Sequence, residues 1–446
     1  MNLLKVFKEE IVNTGFLTVS ALVFFLAAFY NGFPLVYSDT STYMASGFEL
    51  ETPADRPITY GLFLRLTSLN GLSLWGTVFF QSLLLAWLIH LLMCKLNISS
   101  NKPQLFFVII LCVLTTGVSW VASQLIPDVF TPMLIIVWAL ILIDKTAKKR
   151  TLWLYYFLLF FIAAIHMSHF VMTLGLLLIL LLLRIHKKFK AEIPVSKIGF
   201  MFLSIALAFP VFSVSFSKYS NVFFVGKLDG SGLLKEILDD NCGTHNLRLC
   251  QYKDSLPNDN NTFIWDENSP LQKLGGYTGA AEELKEIKKL SFSKGKYIKK
   301  IIKTSLEDSW RQLFTFDIAD GNGIFMNGTK LFERVNLYSK NDVKAYSNSL
   351  QQNGKLVKEG QFIFYFNCIM ALAATVCIGL LFRKKFPFEY YLAVTAIVCG
   401  VLLNACVCGS FSAVAGRYQC RVAWLIVFLA FLLSTAKTPI KKITNK

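Results

Sequence analysis

Long apolar runs constrain this chain more than any other feature. Roughly 20 apolar residues cross a bilayer, and such stretches recur near 15–36, 73–94, 104–123, 128–144, 152–166, 169–185, 198–217, 361–382, 388–408 and 421–437. The composition agrees, with 54% hydrophobic residues, 16% charged residues and a mean hydropathy of +0.51. Soluble domains carry about 25% charged residues, so a water-soluble enzyme of this size is excluded, as are collagen-like, disordered and disulfide-scaffold classes. No small-residue cleavage site comes after the first stretch, which reads as a retained anchor. The expected fold is an all-α polytopic membrane protein with about ten transmembrane helices. The stretches at 128–144, 152–166 and 421–437 are short, and tilt or re-entrant geometry would change that count.

The net charge of +17 would suggest nucleic acid in a soluble protein. In a membrane protein the distribution of Lys and Arg sets orientation instead. With the N-terminus inside, the cytoplasmic segments hold 20 cations, from Lys5 and Lys8 through Lys95, the Lys145–Arg150 cluster, Arg184–Lys197 and Arg383–Lys385 to the tail at Lys437, Lys441, Lys442 and Lys446. The short outer loops hold four: Arg56, Arg65, Arg417 and Arg421. The remaining 21 lie in the long 218–360 segment, where 18 acids nearly cancel them, and long domains translocate regardless of charge. Both termini are therefore expected to be cytoplasmic, in a bacterial inner membrane.

The chain divides into three regions: a transmembrane module over 1–217, an extracytoplasmic domain over 218–360 between spans seven and eight, and a second transmembrane module over 361–446. The 241–277 stretch reads as loop, with Pro257, Pro270 and Gly275-Gly276 as breakers. The 282–308 run is helical in pattern and strongly basic, suited either to a solvated face or to anionic headgroups. Eight of the ten cysteines lie in or beside apolar runs and read as small buried hydrophobes. Cys242 and Cys250 sit in a polar outer loop and read as a disulfide, with zinc as the weaker alternative.

The polar clusters fall on the outer side. Asp39 lies just after the first span within Tyr37-Ser38-Asp39-Thr40; alone, it would be an N-cap for a helix at 41–48. The same loop continues with Asp55-Arg56-Pro57-Ile58-Thr59-Tyr60-Gly61-Leu62-Phe63, a Pro-initiated amphipathic helix. Pro127-Asp128 marks the next outer turn, His166 and His169 the one after it, and Arg417-Tyr418-Gln419-Cys420-Arg421 the last. Arg suits bidentate phosphate recognition, although any single one also serves as a helix anchor. The two histidines fit acceptor or pyrophosphate binding, metal ligation with Asp39 or Asp128, or a hydrogen-bonded turn.

Tyr37-Ser38-Asp39, Arg56-Pro57-Ile58-Thr59-Tyr60-Gly61-Leu62-Phe63 and Pro127-Asp128 resemble the GT-C superfamily of membrane glycosyltransferases, which use polyprenyl-phosphate-linked sugars. The resemblance covers the layout of roughly residues 1–220. The paired acids usual in that first loop are reduced to a lone Asp39, and the soluble domain lies between spans rather than at the C-terminus. The resemblance implies a glycosyltransferase, metal-independent or metal-assisted and inverting, with Asp39 as the catalytic carboxylate that takes the acceptor proton. Asp55, Arg56, Tyr60, Asp128, His166, His169, Arg417, Tyr418 and Arg421 are the expected substrate-binding residues. The implied partners are a polyprenyl-phosphate sugar donor, a lipid-linked or surface glycan acceptor and membrane lipids, with no nucleic acid. No cofactor is assigned beyond the open alternative of a divalent metal. An O-antigen-type polymerase or ligase, and a non-enzymatic envelope transport or assembly protein, are the competing readings.

Overall fold

A computed structural model describes residues 3–98, 102–216 and 221–436. The tail cations Lys437, Lys441, Lys442 and Lys446 lie outside the described residues, as do the last residues of the 198–217 and 421–437 stretches and the start of the 218–360 domain. Among the described residues every regular element is helical, and the one strand-like contact is a parallel bridge between Leu35 and Gln124. Five helices are long and apolar enough to cross a membrane: Trp75–Lys95, Val195–Ser215, Ile363–Arg383, Phe388–Phe411 and Gly416–Thr435. Asn13–Phe24, Lys102–Thr115, Pro127–Ile143 and Met167–Leu183 are apolar but shorter.

Two of the expected continuous stretches are broken, and the breaks face each other. The first helix stops at Phe24 and resumes as Leu26–Asn31, which Gly32 ends in the left-handed conformation. The 104–123 stretch divides into Lys102–Thr115 and Val118–Ser123. Backbone freed from a helix in apolar surroundings must find partners inside the protein. Ser119 and Ser123 supply them, their hydroxyls accepting from the Ala27 and Ala28 amides at 2.9 Å. The Leu35 amide then donates to Ser123 O, and the Leu125 amide to Leu35 O.

The loops sort to opposite ends of the bundle. At one end Lys95 pairs with Asp144 at 2.8 Å, while Lys145 bridges Glu192 and Glu389. Lys197 caps the Phe130–Ile143 helix there by donating to the Ile141 carbonyl at 2.6 Å, a cation where the helix dipole is negative. Asp39, Arg56, Asp128, Arg417 and Arg421 gather at the other end.

The segment expected as one domain over 218–360 carries two separate cores. Apolar residues from Val222 to Tyr297 form their own cluster, closed by the disulfide between Cys242 and Cys250. Phe316, Ile318, Leu331, Val335 and Tyr346 instead join the core of the helical bundle. The basic run is two helices, Ala281–Ser291 and Gly295–Leu313. The 241–277 stretch, expected as loop, contains the short helices Arg248–Tyr252, Asn260–Trp265 and Pro270–Lys273. Asp259 and Ser269 cap the last two by accepting from Thr262 N and Gln272 N.

Gln351 fastens the returning segment to the bundle. Its side chain accepts from the Val36 amide at 3.0 Å and donates to the Val36 carbonyl at 2.7 Å. Its own amide donates to Asn31 Oδ1 at 2.8 Å. Replacing Gln351 by Leu keeps the volume but strands both Val36 groups in a buried position, at about 1–3 kcal/mol for each unsatisfied group. The expected outcome is a lower thermal midpoint for Gln351→Leu in detergent, monitored by tryptophan emission. An unchanged midpoint would mean that this clamp carries no stability.

Candidate functional site

The Asp39 helix spans Ser38–Glu49 and begins three residues earlier than the sequence suggests. Tyr37 is the N-cap, and Thr40 folds back so that its hydroxyl accepts from the Tyr37 amide at 3.0 Å. Asp39 therefore lies in the first turn, where the unpaired amides of a helix favour negative charge. The next helix is Thr59–Thr67, starting two residues after Pro57. It crosses the Asp39 helix at Gly47 and Gly61, where neither backbone leaves room for a Cβ. This close crossing sets the Asp55–Arg56 turn beside Asp39.

Charge pairing organises the residues around this crossing. Arg56 Nη1 lies 3.0 Å from Asp39 Oδ1, while its Nη2 and Nε engage Asp55 Oδ2. The Arg56 guanidinium also lies 5.1 Å from the centre of the Tyr43 ring. Arg417 approaches the same carboxylate from the other side, with Nη2 3.6 Å from Asp39 Oδ2. Its Nη1 is 3.8 Å from Asp128 Oδ2, and its guanidinium stacks 3.9 Å from the Tyr37 ring centre. Behind it, Arg421 Nη1 binds Asp128 Oδ1 at 2.7 Å, and Nε and Nη2 both donate to Asn404 Oδ1.

These groups differ in reach. The Asp39 side chain is 26% exposed, those of Arg56 and Arg417 are 10% and 12% exposed, and Arg421 is sealed. Burial alone would raise the Asp39 carboxyl, but the Arg56 and Arg417 guanidiniums outweigh it and hold the group below the usual carboxylate range. Asp39 is thus a reachable carboxylate that stays charged. Burial also pushes the neighbouring Tyr37 phenol up to about 12, so it remains a neutral donor at physiological pH.

The structure brings Asp39, Asp55, Arg56, Asp128, Arg417, Tyr418 and His166 to one place, and it leaves Tyr60, His169 and Arg421 without exposed surface. Tyr60 is fully buried, its hydroxyl donates to Gln81 Oε1, and its ring packs on Tyr43 and Phe130. His169 is fully buried between helices, with Nε2 2.7 Å from the Thr131 hydroxyl. Arg421 also has no exposed surface; it lies on the Gly416–Thr435 helix rather than in a turn, and it neutralises Asp128. These three residues support the site from behind.

His166 ends one helix and caps the next, Met167–Leu183. Its Nδ1 accepts from the Ser168 amide at 3.2 Å, so the neutral ring carries its proton on Nε2. Tyr418 lies under both arginines, 4.8 Å from Arg417 and 5.2 Å from Arg421.

Sequence reasoning missed the residues that position these charges. Asp320 accepts from the Arg417 amide at 3.0 Å and so caps the final helix from another segment. Gly321, at φ +78°, lets the same segment lie against the Tyr37 ring, where a Cβ would clash. Arg334 donates to Ser41 at 2.8 Å, and Tyr338 stacks on Phe48 while its hydroxyl donates to Glu49. Among the described residues no three His, Cys, Asp or Glu side chains converge as cation ligands. Arg56 and Arg417 face the two oxygens of Asp39 at 3.0 and 3.6 Å. The chain matches no protein-family model, no curated protein and no solved structure.

The two arginines of the last helix are expected to separate on substitution. Arg421→Met removes the partner of a buried carboxylate and should cost about 3–5 kcal/mol, read as a lower thermal midpoint. Arg417→Met breaks longer ion pairs, one hydrogen bond to the Tyr418 hydroxyl and the stacking on Tyr37, and should lower the midpoint by less. Equal losses would contradict the division between a structural and a reachable arginine. Because the folded Asp39 carboxyl is depressed, its ion pairs stabilise the protein above the unfolded value of about 4. That contribution is lost as pH falls through the lower folded value. Asp39→Asn should therefore flatten the acid limb of a stability profile measured in detergent, and an unaltered limb would contradict the assignment.

Proposed function

We propose that this chain is an integral-membrane glycosyltransferase that moves a sugar from a polyprenyl-phosphate donor to a lipid-linked or surface glycan on the extracytoplasmic face. The observation that carries the reading is a reachable, charged Asp39 held between two guanidiniums, one of which makes only long contacts to its carboxylates. Arg417 lies 3.6 and 3.8 Å from Asp39 and Asp128, beyond hydrogen-bond distance, and its one side-chain hydrogen bond is to the Tyr418 hydroxyl, so neither carboxylate ties it and an arriving phosphate can take its edge. Stacking on Tyr37 keeps the guanidinium plane in place while its edge stays available.

In this reaction the acceptor hydroxyl oxygen bonds to the anomeric carbon of the donor sugar. The bond from that carbon to the phosphate oxygen breaks, and polyprenyl phosphate leaves. Asp39 takes the acceptor proton as general base. Arg417 and Arg56 stabilise the negative charge that grows on the leaving phosphate, and the Nε2 proton of His166 offers one more donor. A phosphate bound at the edge of Arg417 also offsets one of the two cations that depress Asp39, which raises its proton affinity when a base is needed.

The membrane arrangement belongs to the same proposal. Ten spans with both termini cytoplasmic would use the four shorter apolar helices and Lys149–Ile165 as well as the five long ones. The clustering of Lys95, Lys145 and Lys197 at one end, opposite Asp39, Arg56 and Arg417, supports that orientation. In a background where exposed Cys368 and Cys406 are replaced by Ala, Lys285→Cys should react with an impermeant maleimide on intact spheroplasts. Lys385→Cys should react only after permeabilisation, and the reverse pattern would overturn the orientation.

The role of Asp39 is tested with purified protein and polyprenyl-phosphate sugars. Asp39→Asn is expected to lower transfer by about 10²–10⁴-fold, the range for losing a general base, while Tyr60→Phe should retain most activity. Full transfer by a folded Asp39→Asn protein would exclude this mechanism. Loss confined to substitutions around Arg417, with Asp39 dispensable, would favour a polymerase or ligase instead.

A further inference from the structure

The Gly295–Leu313 helix carries an apolar row that a helix of a water-soluble domain would not leave exposed. A surface helix normally turns its apolar row to the core. Here Tyr297 and Gln312 are buried and Ile301 and Leu313 pack inward, but Ile298, Ile302, Leu306, Trp310 and Phe314 all face outward at steps of four. Leu306 is 64% exposed and Trp310 is 67% exposed. Beside that row runs a second exposed row, Lys299, Lys303, Glu307 and Arg311.

The opposite side of the helix is docked on one of the membrane-length helices. Ser309 Oγ lies 3.4 Å from the Cys406 carbonyl and 3.5 Å from the Ser410 hydroxyl, within the last turns of Phe388–Phe411. Those turns themselves expose Leu402 and Phe411. Gln312 then clamps Ala415, accepting from its amide at 2.9 Å and donating to its carbonyl at 2.8 Å. Ala415 is the N-cap of the helix that carries Arg417.

We propose that the Gly295–Leu313 helix lies in the plane of the membrane surface and binds anionic lipid. The row from Ile298 to Phe314 sits among the upper acyl chains, and Lys299, Lys303 and Arg311 meet the phosphates. An apolar row flanked by basic residues, with Trp at the boundary, is the pattern of an interfacial helix. The occupant is lipid because the row continues the exposed surface of a membrane-length helix and because the neighbouring row is mainly basic. Through Gln312 the helix fixes the height of Arg417 relative to the headgroups. The proposal does not rest on the glycosyl-transfer reading and stands or falls separately.

The test uses full-length protein in nanodiscs of phosphatidylcholine, with or without phosphatidylglycerol, and subtracts the emission of Trp310→Phe from that of the native chain to isolate Trp310. The expected result is a blue-shifted Trp310 signal, mostly lost when the lipids are brominated along the acyl chain and insensitive to aqueous iodide. Phosphatidylglycerol should deepen the loss, and a Lys299→Glu/Lys303→Glu protein should lose that dependence. Quenching by iodide but not by brominated lipid would show a solvated helix and overturn the proposal. Shelter from both quenchers would show that a protein surface covers the row and would overturn it equally. Lipid dependence unchanged by the two glutamates would overturn the headgroup contact.

Discussion

The arrangement of the site depends on one constraint: a carboxylate removed from water must be met by a cation. Asp128 is almost fully buried, and one of its oxygens is held by Arg421 at 2.7 Å. Desolvating an unpaired carboxylate would cost several kcal/mol, so this pair fixes where the final helix sits against the Phe130–Ile143 helix. Asn404 accepts two further hydrogen bonds from Arg421 and removes its remaining freedom. With Arg421 immobile, Arg417 one turn earlier is delivered to Asp39. The buried pair thus supplies position, and the exposed pair is left with reach.

The same logic explains why the segment after residue 313 returns to the bundle. The Asp39 helix is short, with twelve residues, and its own contacts do not enclose it on every side. Residues 316–351 hold it from the far side through Gly321 on Tyr37, Arg334 on Ser41, Tyr338 on Phe48 and Gln351 on Val36. The support of the Asp39 helix thus comes from a part of the chain nearly 300 residues away.

Legibility in the sequence depends on the strength of each signal. Charged residues in an otherwise apolar chain need partners, so Asp39, Arg56, Asp128 and Arg417 stand out, and the structure brings them together. Arg421 looks equivalent to Arg417 in the sequence, because its burial depends on Asn404 and Asp128, which lie on other helices. The burial of Tyr60 and His169 is hidden for the same reason, since helical spacing gives a face but not its neighbour. The breaks at Phe25 and Gly117 are hidden because hydropathy averages over a residue or two. Asp320 and Gln351 are invisible: in a polar segment nothing distinguishes a side chain that clamps the bundle from one that meets water.

Whether Asp39 carries sugar transfer in the cell is decided by mass spectrometry of lipid-linked and surface glycans. The strains compared are a deletion and the same deletion carrying either the native gene or Asp39→Asn at matched membrane abundance. One sugar should disappear in the deletion, return with the native gene and stay absent with Asp39→Asn. Return of that sugar with Asp39→Asn would contradict the proposed mechanism.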